Sequence, residues 1–251
     1  MVAKTLSLPN IRKLFIPDDG FIIADADLAG ADARVVAWEA NDLALMQAFR
    51  EGLSVHAENA KEMFGPDAGP DGRREPIYSE CKVAVHATNY GASYKTIAAN
   101  LGWTRHKAEQ FQKRWFAAHP AIPEWHDRTY GEIQKTRMVR NKFGYRRVYF
   151  DRTDGLLPEA LAWVPQSTVA LVCTKGANAL RKAFSKANVQ ILLQVHDSLV
   201  FQYPIEFHQQ RHLLLSPLQI PIPYDDPLTI PWSLKTSDRS WGHAEPTEWK
   251  D

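Results

Sequence analysis

Residues 192–202, LLQVHDSLVFQ, set a short polar centre between two apolar runs. Two apolar runs, Val189 to Gln194 and Leu199 to Tyr203, flank the polar His196-Asp197-Ser198, the pattern of two strands joined by a tight turn. The turn thrusts Asp197 out at the end of a stiff ribbon, the rigid placement that metal-dependent chemistry needs, although a turn Asp also occurs for conformational reasons alone. Far upstream, Phe15 to Ala26 (FIPDDGFIIADA) reads as a turn at Asp18-Asp19-Gly20 followed by a buried strand with an acidic tip. Asp25 and Asp27 share one face of that strand, where they can hold a metal or cap the next helix. Helical patterns fill the space between. One helix is expected over Asp32 to Phe49, a second over Val55 to Phe64, and a third over Ile77 to Asn100 with a break at Gly91. Thr104 caps a further helix to Ala118 that Pro120 and Pro123 end. Glu124 to Gln134 is helical, Val139 to Phe150 is a hairpin turning at Gly144, and Pro158 to Phe184 is a long helix interrupted at Pro165. Gly65 to Pro76, with three prolines and three glycines, is a loop. Strands at both ends with helices between define an α+β chain.

The length of 251 residues allows one large domain or two small ones, and 45% hydrophobic with 24% charged residues excludes disordered, collagen-like and coiled-coil classes. Two cysteines, Cys81 and Cys173, are too few for a disulfide framework or a Cys-type zinc site. No apolar run approaches the ~18 residues of a membrane span, and Met1 to Asn10 is too short and polar for a signal peptide. The cytoplasm is therefore expected, a host's cytoplasm if the chain is viral, with no membrane partner. Charge is uneven: Gly72 to Phe150 holds 15 Lys and Arg against 6 Asp and Glu, and the remainder holds 15 against 23. Basic surface attracts phosphate backbones and clustered carboxylates suit hard divalent cations, but a solvated basic helical face gives the same count. Within the basic block, Lys82, His86, Tyr90 and Tyr94 recur every four residues along one helical face. A triphosphate fits the cationic end and a base the aromatic end; a snorkelling Lys above core tyrosines is the structural alternative.

In order, these three pieces resemble the three motifs of family A DNA polymerases, particularly the bacteriophage members. Asp27-Leu28-Ala29-Gly30-Ala31-Asp32-Ala33-Arg34 is similar to motif A, a register that selects Asp27 over Asp25. FREGLSVHAENAKEMFG (Phe49 to Gly65) is similar to the segment after motif A, with His56 at a triphosphate-contacting position. KVAVHATNYGASYKTIA (Lys82 to Ala98) resembles motif B, with Lys82 where Arg is usual and His86 where Lys is usual. Leu193 to Phe201 resembles motif C, with Ser198 replacing its second acid. Val164-Pro165-Gln166-Ser167 is similar to a segment whose Gln reads the minor groove, with Ala162 where Asn is usual.

The resemblance implies an antiparallel-sheet palm over residues 1–38 and 155–251 and mainly helical fingers over 39–154. Thumb and exonuclease domains are absent from this expectation, since motif A starts 26 residues from Met1. It implies template-directed addition of dNTPs to a primer 3′ end, with two Mg²⁺ ions, replaceable by Mn²⁺, on Asp27, Asp197 and the Leu28 carbonyl. Lys82, His86, Tyr90, Asp32 and His56 would bind the nucleotide, with His86 or a water as general acid and Arg12 a further triphosphate candidate. Arg34, Tyr94, Gln166, Gln194 and His196 would contact primer-template DNA. A separate polypeptide could supply thumb or exonuclease. The other readings are a catalytically silent nucleic-acid-binding subunit dependent on a thumb-bearing partner, and a single-subunit RNA polymerase.

Overall fold

The computed structural model describes residues 9–65, 77–150 and 152–247; most of the expected Gly65 to Pro76 loop lies outside them. By contacts the chain divides into a sheet unit, Met1–Ala31, Val169–Ile222 and Thr229–Asp251, and a helical unit, Asp32–Thr168 with Pro223–Leu228. No described helix is long and apolar enough to cross a membrane.

The sheet unit is built on β1 (Phe21–Leu28), whose apolar residues are buried on both faces because it is a central strand. β4 (Gln190–Val195) and β5 (Ser198–Pro204) form the expected hairpin, and β6 (Trp232–Ser237) and β7 (Glu245–Pro246) complete an antiparallel sheet of order β4-β5-β1-β6-β7. β1 lies between β5 and β6, with Asp27 opposite Ser198 on one side and Ser233 on the other. Ile23, Val200 and Trp241 form a core cluster there. Asp25, buried, accepts a 2.7 Å hydrogen bond from the Trp241 indole, so it is a structural anchor. Trp241 also clamps the chain start: Arg12 lies over its ring at 4.5 Å, and its amide donates to the Phe15 carbonyl at 2.8 Å.

In the helical unit the single helix expected over 32–49 is two, α1 (Ala31–Ala40) and α2 (Leu43–Arg50). Asn41 takes a left-handed φ of 58° and Asp42 caps α2, accepting from the Leu45 amide at 3.0 Å, so local capping outweighs the continuous apolar period. α3 (Val55–Phe64) precedes α4 (Ile77–Asn89) and α5 (Tyr94–Leu101), separated at Gly91 as expected. Gly91 has φ 73°, and a Cβ there would stand 3.1 Å from Leu161 Cδ1, so the turn favours glycine on two counts. α6 (Arg105–Ala118) starts at Thr104, whose hydroxyl accepts from the Lys107 amide. α7 (Ala121–Thr136) begins before Pro123, which therefore sits in a first turn where its missing N–H costs nothing, rather than ending a helix. β2 (Met138–Arg140) and β3 (Arg146–Val148) form the hairpin around Gly144.

α8 (Leu157–Ala183) runs unbroken through Pro165, contrary to the expected interruption. Buried neighbours Ala160, Leu161 and Val164 fix this stretch, and tertiary burial outweighs the one hydrogen bond Pro removes. Its residues 157–168 belong to the helical unit and 169–183 to the sheet unit.

The buried Asp42 also pairs with His119 Nδ1 at 3.0 Å. Burial alone would raise the Asp42 carboxyl, but His119 and the Leu45 and Ala44 amides hold it below its ordinary range. A folded-state pKa below the unfolded one stabilises above the unfolded value, near 4, and that contribution is lost as pH falls through the folded value. Asp42→Asn is expected to cost about 2 kcal/mol at pH 7 and progressively less below pH 4, read by urea unfolding at several pH values. An equal cost at pH 3 and pH 7 would exclude loss of the ionised Asp42 carboxylate as the cause.

Candidate active site

The register of β1 against β5 brings Asp27 and Asp197 to the same end of two neighbouring strands. The Leu28 amide donates to the Asp197 carbonyl at 3.1 Å, tying the hairpin turn to the tip of β1. His196 occupies that two-residue turn with φ 54°, a conformation that costs a non-glycine residue roughly 1 kcal/mol or more and is held by the strands on either side. Ser198, where motif C has a second acid, is buried and donates to the Val195 carbonyl at 3.0 Å, bracing the turn. Both carboxylates act on Cys173: burial first, then Asp197 and Asp27, push this buried thiol up to about 12. Carboxylates are hard oxygen donors that suit Mg²⁺ rather than zinc. Among the described residues there is no group of three or more His, Cys, Asp or Glu that could hold a metal ion. Gln194, which lies 3.4 Å from the Thr174 hydroxyl, and His196 are exposed on the same hairpin.

In the helical unit α4 carries Lys82, His86 and, one residue past its end, Tyr90. Lys82 is exposed. His86 Nε2 stands 3.6 Å from Asp32 Oδ2 of α1, and its ring lies 4.5 Å from that of Tyr90. Burial, and then the neighbouring Asp32 carboxylate, raise the Tyr90 phenol above its ordinary range. Tyr90 is set by its neighbour Asn89, whose Oδ1 accepts from Trp115 Nε1 at 2.8 Å and whose carbonyl meets His126 Nε2 at 2.9 Å. Sequence reading missed Asn89, because its partners lie 26 and 37 residues away.

The remaining expected residues are more dispersed. Arg34 donates to the Phe49 carbonyl at 3.3 Å and lies over the Phe49 ring, and burial lowers its pKa. Tyr94 opens α5 and is half-buried, and Gln166 is exposed on α8. His56 belongs to α3, but its side chain lies outside the described residues. A cavity of about 520 Å³ in the helical unit, lined by Trp38, Glu39, Arg128, Lys142 and Tyr224 among others, had no signal in the sequence. Burial raises the Glu39 carboxyl there, which accepts from the Tyr224 hydroxyl at 2.8 Å across 185 residues.

The fold is that of a polymerase domain. The POL domain of Pol1 from M. smegmatis, solved in complex with DNA primer-template and dNTP, superposes with a TM-score of 0.82 at 22% identity, over 93% of this chain and 42% of that one. The family description "DNA polymerase family A" matches residues 3–218, and the chain belongs to that family. Similar proteins include the thermostable DNA polymerase I of Thermus filiformis, 30% identical over 88% of this chain, and the DNA polymerase I of Geobacillus stearothermophilus, 27% identical over 78%. The chain spans about a quarter of the length of these bacterial relatives, 27% and 23% respectively.

Proposed function

We propose that the chain catalyses template-directed transfer of deoxynucleotides to a primer 3′ end in the cytoplasm, with residues 1–38 and 155–251 acting as palm and 39–154 as fingers. The observation that carries this is the pairing of β1 with β5, which puts Asp27, the Leu28 backbone and Asp197 side by side. Asp27, Asp197 and the Leu28 carbonyl would hold two Mg²⁺ ions, with Mn²⁺ able to substitute. Bound there, the ions would lower the pKa of the 3′-hydroxyl and neutralise charge on the leaving group. The 3′-oxygen attacks the α-phosphorus, the bond to the pyrophosphate oxygen breaks, and the hydroxyl proton leaves to solvent. Lys82 and His86 hold the triphosphate, and His86 in its protonated form, or water, supplies the proton that pyrophosphate takes up. His56 is a further triphosphate contact. Tyr90 stacks on the incoming base, while Arg34, Tyr94, Gln166, Gln194 and His196 position primer-template DNA.

Asp32 would exclude ribose by standing against the 2′ carbon. It is one methylene shorter than the Glu usual at this position, so exclusion is looser. Single-nucleotide incorporation with dNTPs and NTPs tests this reading. Incorporation should favour dNTPs, and Asp32→Glu should widen the preference roughly 10-fold, the worth of about one methylene in a pocket. Preference for NTPs would indicate an RNA polymerase, and DNA binding without incorporation a silent scaffold.

A further inference from the structure

We propose that the Asp32–His86 contact makes sugar selection depend on the protonation of His86, so that discrimination against ribonucleotides weakens as pH falls. This deepens the polymerase reading and rests on it. The gate carboxylate and a triphosphate-holding side chain touch: Nε2 to Oδ2 is 3.6 Å, with side chains 46% and 30% exposed. The His86 ring also lies against Tyr90, whose buried hydroxyl faces the same carboxylate without a regular hydrogen bond. Asp32 therefore has two neighbours competing for it, an imidazole and a phenol. A neutral imidazole attracts the carboxylate weakly and leaves it beside Tyr90, where a 2′-hydroxyl would meet it. An imidazolium draws it away from that position by charge.

The charged and titratable groups facing His86 are Asp32 from α1, and Lys82 and Tyr90 from the α4 segment. Burial lowers the His86 pKa, Asp32 raises it and Lys82 lowers it, leaving it below its ordinary value of 6.5. The imidazole is thus neutral at pH 8 and gains charge in the acid range. A Lys at this position would be charged throughout, so the dependence is particular to histidine.

Deoxy- and ribonucleotides carry the same triphosphate, so phosphate contacts of Lys82 and His86 cancel in the ratio of kcat/KM for dATP over ATP. That ratio, measured by single-nucleotide incorporation opposite template thymine, reads the sugar position alone. It should fall by about fivefold between pH 8.5 and a pH below the His86 midpoint read by NMR titration, the scale of one half-exposed ion pair. In His86→Lys the ratio should stay flat near the low-pH value, and in His86→Gln flat near the high-pH value. A flat wild-type ratio alongside robust dATP incorporation would overturn the coupling alone, as would an equal slope in His86→Gln. Absence of dATP incorporation at every pH would instead overturn the polymerase reading. NMR titration of the His86 ring needs no turnover: Asp32→Asn should move its midpoint to lower pH, and an unmoved midpoint would also overturn the coupling.

Discussion

Asp27→Ala and Asp197→Ala are each expected to reduce nucleotide incorporation by roughly 10³-fold or more, several kcal/mol of lost charge stabilisation. Either carboxylate alone leaves an incomplete site, because no third acid stands ready among the described residues and Ser198 is committed to the Val195 carbonyl. The double variant should be little worse than either single one, since groups that act as a unit are not additive. Stability should change little. Both side chains are only half-buried, so removing one should leave Tm close to unchanged. Circular dichroism melts beside the kinetics separate this from unfolding: activity lost together with a large drop in Tm would assign the pair a structural role instead.

The second large effect is expected at Trp115. Its side chain is fully buried, its indole donates to Asn89 at 2.8 Å, and its ring lies 4.1 Å from that of His119. Trp115→Ala removes a large core side chain and leaves the Asn89 oxygen without its donor, costing about 4 kcal/mol and roughly 10 °C in Tm. Trp115→Phe keeps most of the ring volume and removes chiefly the hydrogen bond. It should cost about 1–2 kcal/mol yet weaken nucleotide binding, because Asn89 fixes the turn that presents Tyr90. Unchanged nucleotide affinity in Trp115→Phe would detach Asn89 from the placement of Tyr90.

What could be read in advance was local. The hairpin at His196-Asp197, the Thr104 cap and the Gly91 and Gly144 turns each depend on residues within a few positions, and each is found in the structure. β6 escaped notice although its first residues alternate buried Trp232, exposed Ser233 and buried Leu234, because so short an alternation ends before it stands out from a loop. The break between α1 and α2 was hidden under a continuous apolar pattern, and only the Asn41 backbone and the Asp42 cap reveal it. Pro165 misled in the opposite direction, since burial of its neighbours decides more than propensity. Pairings across long separations had no sequence signal at all. Asp42 with His119, Glu39 with Tyr224 and Asp32 with His86 exist only once the chain has folded.

Primer extension decides whether Asp27 and Asp197 make this chain a template-directed polymerase. Purified protein, Mg²⁺, dNTPs and a primer on a template of defined sequence at low salt should yield products that lengthen with time and copy that template, and neither Asp27→Ala nor Asp197→Ala should yield them. Wild-type protein that binds the primer-template, followed by fluorescence anisotropy, but adds no nucleotide would contradict the account.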